Sequence, residues 1–281
     1  MRLSLVVFLA ALGSAILHAA WNAAARRRAD PGHGFAVIIY AGGVVAAPLL
    51  LITGLPDPKS FPWLAGSLAF NLLTMRAMMA AYRRAPFAVS YPIARGLTPP
   101  LVALAAAIVT SELPSRMGLL GIATISIALV MLAGRALRLR ETPVSGVLLA
   151  AASSVFAAGY VFMDAQGVRA SGSVLAYGAA VPLLNGIALG ALGAAEGRPP
   201  WKLPMKEWRF GFTACIASYA SYLLVLYAFT HGPTGPVAAI RETSVLFATA
   251  FAAFLLAERV GRIEWISAGL AVIGIALLRL G

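Results

Sequence analysis

The stretch Pro233 to Glu258, PTGPVAAIRETSVLFATAFAAFLLAE, places the charged pair Arg241 and Glu242 inside an apolar segment of helix length. It has a counterpart earlier in the chain. A shift of 146 positions lays Arg241 on Arg95, Ala252 and Ala253 on Ala106 and Ala107, Glu258 on Glu112, and Arg262 on Arg116. Self-similarity at a long fixed spacing settles the architecture before any single residue is interpreted. The chain therefore reads as two related halves, residues 1–140 and 141–281.

Each half divides into five apolar segments of about 20 residues, the length needed to span a bilayer. The ten expected helices are Leu3 to Ala25, Gly34 to Thr53, Pro62 to Tyr82, Phe87 to Thr110, Met117 to Ala133, Pro143 to Met163, Val174 to Ala194, Phe210 to Thr230, Pro236 to Ala257 and Ile263 to Leu280. Breakers punctuate them, among them Asp30-Pro31-Gly32, Pro56-Asp57-Pro58, Gly197-Arg198-Pro199-Pro200 and His231-Gly232-Pro233. With 60% hydrophobic and 11% charged residues, the chain lies far from the roughly 25% charged average of soluble domains. The fold class expected is an all-α membrane protein. Met1 to Ala25 resembles a secretory signal in outline, but its apolar run is too long for one, and it reads as a retained first helix. An odd number of helices per half turns the second half over, so the ten transmembrane helices form two inverted five-helix repeats. Such repeats place a substrate site at their interface near the midplane.

The net charge of +12 does not point to nucleic acid, because the basic residues gather at the ends of apolar runs. Most of them fall on the face reached after helices 1, 3, 5, 7 and 9: Arg26 to Arg28, Arg83, Arg84, Arg135, Arg138, Arg140, Arg198, Lys202, Lys206, Arg209, Arg259 and Arg262. The positive-inside rule makes that face cytoplasmic and leaves both termini outside. The segment EGRPPWKLPMKEWRF, from Glu196, mixes tryptophan with basic residues as an anchor at headgroup level does. Cys215 is the single cysteine, so a disulfide is excluded, and His18, His33 and His231 lack metal-ligand spacing.

Ionisable residues within the membrane are candidate functional groups by default. Arg95 and Arg241 lie at similar depths in helices 4 and 9, measured from opposite faces, and so are expected in opposite leaflets as two ends of one path. His18 and Arg76 join Arg95 in a basic cluster suited to carboxylate or phosphonate groups. Snorkelling to the interface is the alternative for Arg76 and Arg95, and simple packing the alternative for His18. Asn71 and Tyr222 complete the substrate-binding candidates, alongside Tyr160, Asn185 and Tyr219 as mid-helix polar groups; Trp21 and Asn22 read as interface residues. Arg241 and Glu242 leave their helix about 100° apart and cannot face the same neighbour. Glu242 is the expected proton-coupling acid, with Asp164, at the expected end of helix 6, as its rival. Gly186 and Gly190 are spaced for close helix approach.

Ten short helices in a five-plus-five repeat, Ala85-Pro86 opening helix 4, and Glu112 and Glu258 closing helices 4 and 9 together resemble the drug/metabolite transporter superfamily, nearest to its EamA-type branch. The resemblance covers essentially the whole chain. It implies a secondary transporter, commonly an exporter of amino acids or other small metabolites, in the inner (plasma) membrane. His18 to Asn22, HAAWN, resembles a subgroup linked with phosphonate use. The small multidrug exporters of the superfamily carry an acidic residue in helix 1; Leu3 to Ala25 has none, which argues against their cation/proton exchange. Relatives that handle nucleotide sugars are described with cytosolic termini, opposite to the charge count here. The expected partners are a small-molecule substrate and the lipid bilayer, with a homodimer left open; no nucleic acid, cofactor or metal is expected. A membrane-embedded enzyme and a non-transporting structural membrane protein are the alternatives.

Overall fold

The computed structural model describes residues 3–26, 28, 30–139, 142–248 and 261–281. Its helices are α1 (Leu5–Arg26), α2 (Pro31–Thr53), α3 (Phe61–Tyr82), α4 (Phe87–Thr110), α5 (Arg116–Leu139), α6 (Val144–Ala170), α7 (Val174–Ala195), α8 (Met205–His231), α9 (Thr234–Glu242) and α10 (Arg262–Leu280). Among the described residues nine helices are long and apolar enough to cross a membrane, and there is no strand. The expected ninth span is described only as far as residue 248. Glu258 and the junction residues Arg140 and Glu141 lie outside the described residues.

Local chemistry sets the helix ends. Asp30 accepts the His33 N–H at 3.1 Å with Pro31 in the first turn of α2, and Ser173 accepts the Ala176 N–H at 3.2 Å to start α7. Prolines Pro86, Pro143, Pro204 and Pro233 stand immediately before α4, α6, α8 and α9. Ser111 ends α4 in the left-handed region, φ 56°, and the next N–H, that of Glu112, returns 3.1 Å to the Ala106 carbonyl. This Schellman-type turn directs Glu112 back across the end of the bundle.

The main helix contacts join one half to the other. α1 packs on α8 and α3 on α6, while α2 meets α7, α4 meets α9 and α5 meets α10. The glycine spacing in α7 serves the α2–α7 crossing: a Cβ on Gly186 would stand 3.0 Å from the Gly43 Cα. The largest buried cluster joins both halves, running from Val7 and Ala11 through Leu129 and Val161 to Leu226 and Ile240.

The ninth crossing departs from the continuous helix expected over Pro236 to Ala257. α9 stops at Glu242, because the Thr243 N–H bonds the Ile240 carbonyl at 3.2 Å and the Thr243 hydroxyl takes the same carbonyl at 2.6 Å. Helical geometry resumes over 244–248. A discontinuous helix within the bilayer is tolerated where protein surrounds it or a cavity adjoins it. The break falls immediately after Arg241 and Glu242.

Candidate functional site

A cavity of about 310 Å³ opens between the halves. At one end of it are Trp21 and Asn22 at the end of α1, Phe35 near the start of α2, and Tyr82 at the end of α3. Those positions belong to the basic face. Its floor is reached at Asp164, Tyr222 and Arg241, deep in α6, α8 and α9.

Toward the opposite face the halves are tied together. Arg169, near the end of α6, pairs with Glu112 and donates to the Phe229 and Gly232 carbonyls, each at 2.8 Å. Glu112 also accepts the Thr234 N–H at 3.0 Å. Burial raises the Glu112 carboxyl pKa, but the Thr234 N–H and Arg169 outweigh it and hold the group below the ordinary carboxylate value. One knot thus joins the α4–α5 connection, the end of α6 and the α8–α9 connection.

The sequence candidates divide clearly. His18, Asn71, Arg95, Asp164, Tyr222 and Arg241 all line the cavity. Arg76 does not. Its side chain is 66% exposed and reaches toward Glu196 at 4.0 Å, because Met75, Met78 and Met79 occupy the cavity side of this stretch of α3. Arg95 and Arg241, expected at two ends of one path, both border this one cavity. Trp21, read as an interface residue, sits edge-on to His18 with ring centres 4.9 Å apart and lines the cavity as well.

The two arginines have different surroundings. Arg95 Nη1 donates to both oxygens of Glu242 at 3.3 Å, its Nη2 lies 3.5 Å from His18 Nε2, and its guanidinium stands 5.2 Å from the Tyr91 ring centre. Glu242, 2% exposed, pairs with Arg95 and so links α9 to α4. Arg241 is 8% exposed, and among the described residues it has no ion-pair partner and no hydrogen-bond partner for Nε. A buried guanidinium left open toward a cavity is expensive unless an anion completes it.

Asp164 is not a solvated residue at a helix end. α6 continues to Ala170, which leaves Asp164 4% exposed within the bundle. Its Oδ1 accepts the Ser67 hydroxyl at 2.5 Å and the Tyr177 hydroxyl at 3.3 Å, and its Oδ2 accepts the Tyr222 hydroxyl at 3.0 Å. Arg241 is near enough to act on it through space. Ser67, Tyr177 and Arg169 escaped the sequence reading. One available signal went unused: the same 146 shift lays Asp164 on His18, so each arginine has an ionisable neighbour from the first helix of a half.

Residues 144–280 match the model of the EamA-like transporter family. A solved structure described only as "Crystal structure of protein" aligns over 98% of this chain and 96% of its own, with a TM-score of 0.74 and 20% sequence identity, which is a likeness of fold. No curated protein matches the chain.

Proposed function

We propose that this multi-pass membrane protein, whose residues 144–280 match the model of the EamA-like transporter family, is a secondary transporter of small anionic or zwitterionic metabolites, working by alternating access between two inverted repeats. The observation that carries the reading is Arg241, a buried guanidinium with no ion-pair contact and no hydrogen-bond partner for Nε among the described residues, bordering the cavity between the halves. It supplies a forked anion anchor. Tyr222, Asn71 and Tyr219 offer hydrogen bonds to the rest of a solute, and the methionines of α3 offer an adaptable apolar wall.

The cavity faces the basic side, which the positive-inside rule makes cytoplasmic, while the knot of Arg169 and Glu112 closes the other side. In this reading the site loads from the cytoplasm of a cell bounded by its plasma membrane, and transport runs as export. Counterflow into proteoliposomes tests the reading with a panel of monocarboxylates, amino acids, phosphonates, sugar phosphates and organic cations. Saturable counterflow confined to solutes carrying an acidic group is expected. Counterflow confined to cations, or none with any class, would overturn it.

A further inference from the structure

Arg95, Arg241 and Asp164 line the cavity, and Glu242 reaches Arg95 from α9. Arg95 is matched by Glu242 on two hydrogen bonds. Arg241 and Asp164 remain, one positive and one negative, bordering the same cavity with no hydrogen bond between them among the described residues. In a poorly polarisable site this pair is neutral overall, and adding an anion to Arg241 leaves an uncompensated negative charge. We infer that the site loads a monoanion together with one proton, the anion on Arg241 and the proton on Asp164, so that the occupied site is again neutral; the inference rests on the transporter reading above.

Asp164 is equipped for that proton. Its three partners, Ser67 from α3, Tyr177 from α7 and Tyr222 from α8, are hydroxyls. A hydroxyl donates to a carboxylate and can turn to accept from a carboxylic acid, so the shell stays satisfied in both states. When the proton arrives from water in the cavity, an O–H bond forms on one carboxylate oxygen and one of these hydroxyls becomes its acceptor. The other charged and titratable groups of the cavity are otherwise placed, with His18 of α1 against Arg95. From α9 the facing charge is Arg241 itself, from α4 it is Arg95 already held by Glu242, and on α6 the neighbour is Tyr160. Asp57 and Lys59, flanking the short turn that packs on α6, are exposed.

Glu242 is a poor carrier by the same logic, because protonating it strands Arg95, a buried cation held on both of its oxygens. The proton-coupling role expected of Glu242 therefore passes to Asp164. The substrate class narrows too. One open guanidinium and one proton acceptor match one negative charge and not two, and the Tyr82, Tyr91 and Met75 surfaces suit an apolar body.

The test is proton counting during binding. Purified protein is titrated with phenylacetate by calorimetry in buffers of different ionisation enthalpy and across pH. Uptake of about one proton per phenylacetate is expected, with affinity falling about tenfold per pH unit once Asp164 is ionised. Asp164→Asn, which imitates the protonated acid, is expected to bind phenylacetate with proton uptake and pH slope both near zero. Binding by the unaltered protein without proton uptake overturns the inference, as does uptake that persists in Asp164→Asn. Phenylalanine binding where phenylacetate does not bind also overturns it, by giving Asp164 to an ammonium group. Each of these failures leaves the transporter reading standing if counterflow of another acidic solute is found; loss of all counterflow removes both.

Discussion

Arg95 and Arg241 occupy matching positions in the two halves, yet one is ion-paired with Glu242 and the other has no ion-pair partner among the described residues. The difference comes from the next residue. Gly96 follows Arg95, and a Cβ there would stand 3.1 Å from the Leu129 Cβ and 3.1 Å from the Ser126 carbonyl oxygen, so α5 leaves no room for a side chain. Glu242 follows Arg241, and it turns across the interface to Arg95. A single broken position in the repeat thus separates two equivalent cations into one bridged by Glu242 and one without an ion-pair partner among the described residues, the one proposed above to hold the solute. The first helices of the halves extend the contrast, with His18 beside Arg95 and Asp164 near Arg241.

The comparison breaks most sharply on Arg241→Ala. Removing the open guanidinium should lower counterflow about 100-fold, equivalent to roughly 3 kcal/mol of lost binding, while thermal unfolding in detergent shifts little, since no ion pair among the described residues is lost. Arg95→Ala should do the reverse and lower the melting temperature first. If the two variants behave alike in both measurements, the distinction between them is wrong.

Glu242→Gln sharpens the structural half of the contrast. It leaves Arg95 buried without its counter-ion, and breaking one side of a buried pair costs about 3–5 kcal/mol. Replacing both partners with apolar residues, Arg95→Met with Glu242→Leu, should recover most of that loss, because neither charge then remains to be desolvated. Thermal unfolding of the two variants beside the unaltered protein measures it. A double variant no more stable than Glu242→Gln would mean that the pair does more than neutralise itself.

These residues also mark how far the sequence could be read. The spans were legible because an apolar run of bilayer length between proline or glycine breakers has few other solutions, and α4 begins and ends at Phe87 and Thr110 as expected. The ionisable residues stood out against such a background. Their directions did not. A helix that is apolar nearly all round carries no periodic signal for its inner face, so Arg76 and Arg95 looked alike although one points to Glu196 at the edge and the other to Glu242 within. Asp164 was undervalued because its hydroxyl partners come from three other helices. The interruption at Thr243 has no proline or glycine to announce it, since a side-chain hydroxyl and tertiary packing set it.

The smallest expected effect lies at the closed face, where a committed carboxylate can be compared with the committed one at the centre. Glu112 is held below its ordinary value of 4.5 by the Thr234 N–H and Arg169, against the opposing influence of burial. A carboxyl whose folded-state pKa is depressed contributes stability that is fully present above its unfolded value and disappears as pH falls through its folded value. Glu112→Gln should therefore lower stability by about 1 kcal/mol at neutral pH, the scale of charge-assisted hydrogen bonds at a partly exposed site. The gap in melting temperature between this variant and the unaltered protein should stay constant from neutral pH down to the ordinary carboxylate range and close below it. A gap that widens on acidification would mean that Glu112 prefers to be protonated in the folded protein and that Arg169 is not its principal partner. A gap of similar size at every pH would place the contribution in the shape of the knot, with the charge on Glu112 playing no part in closing that face.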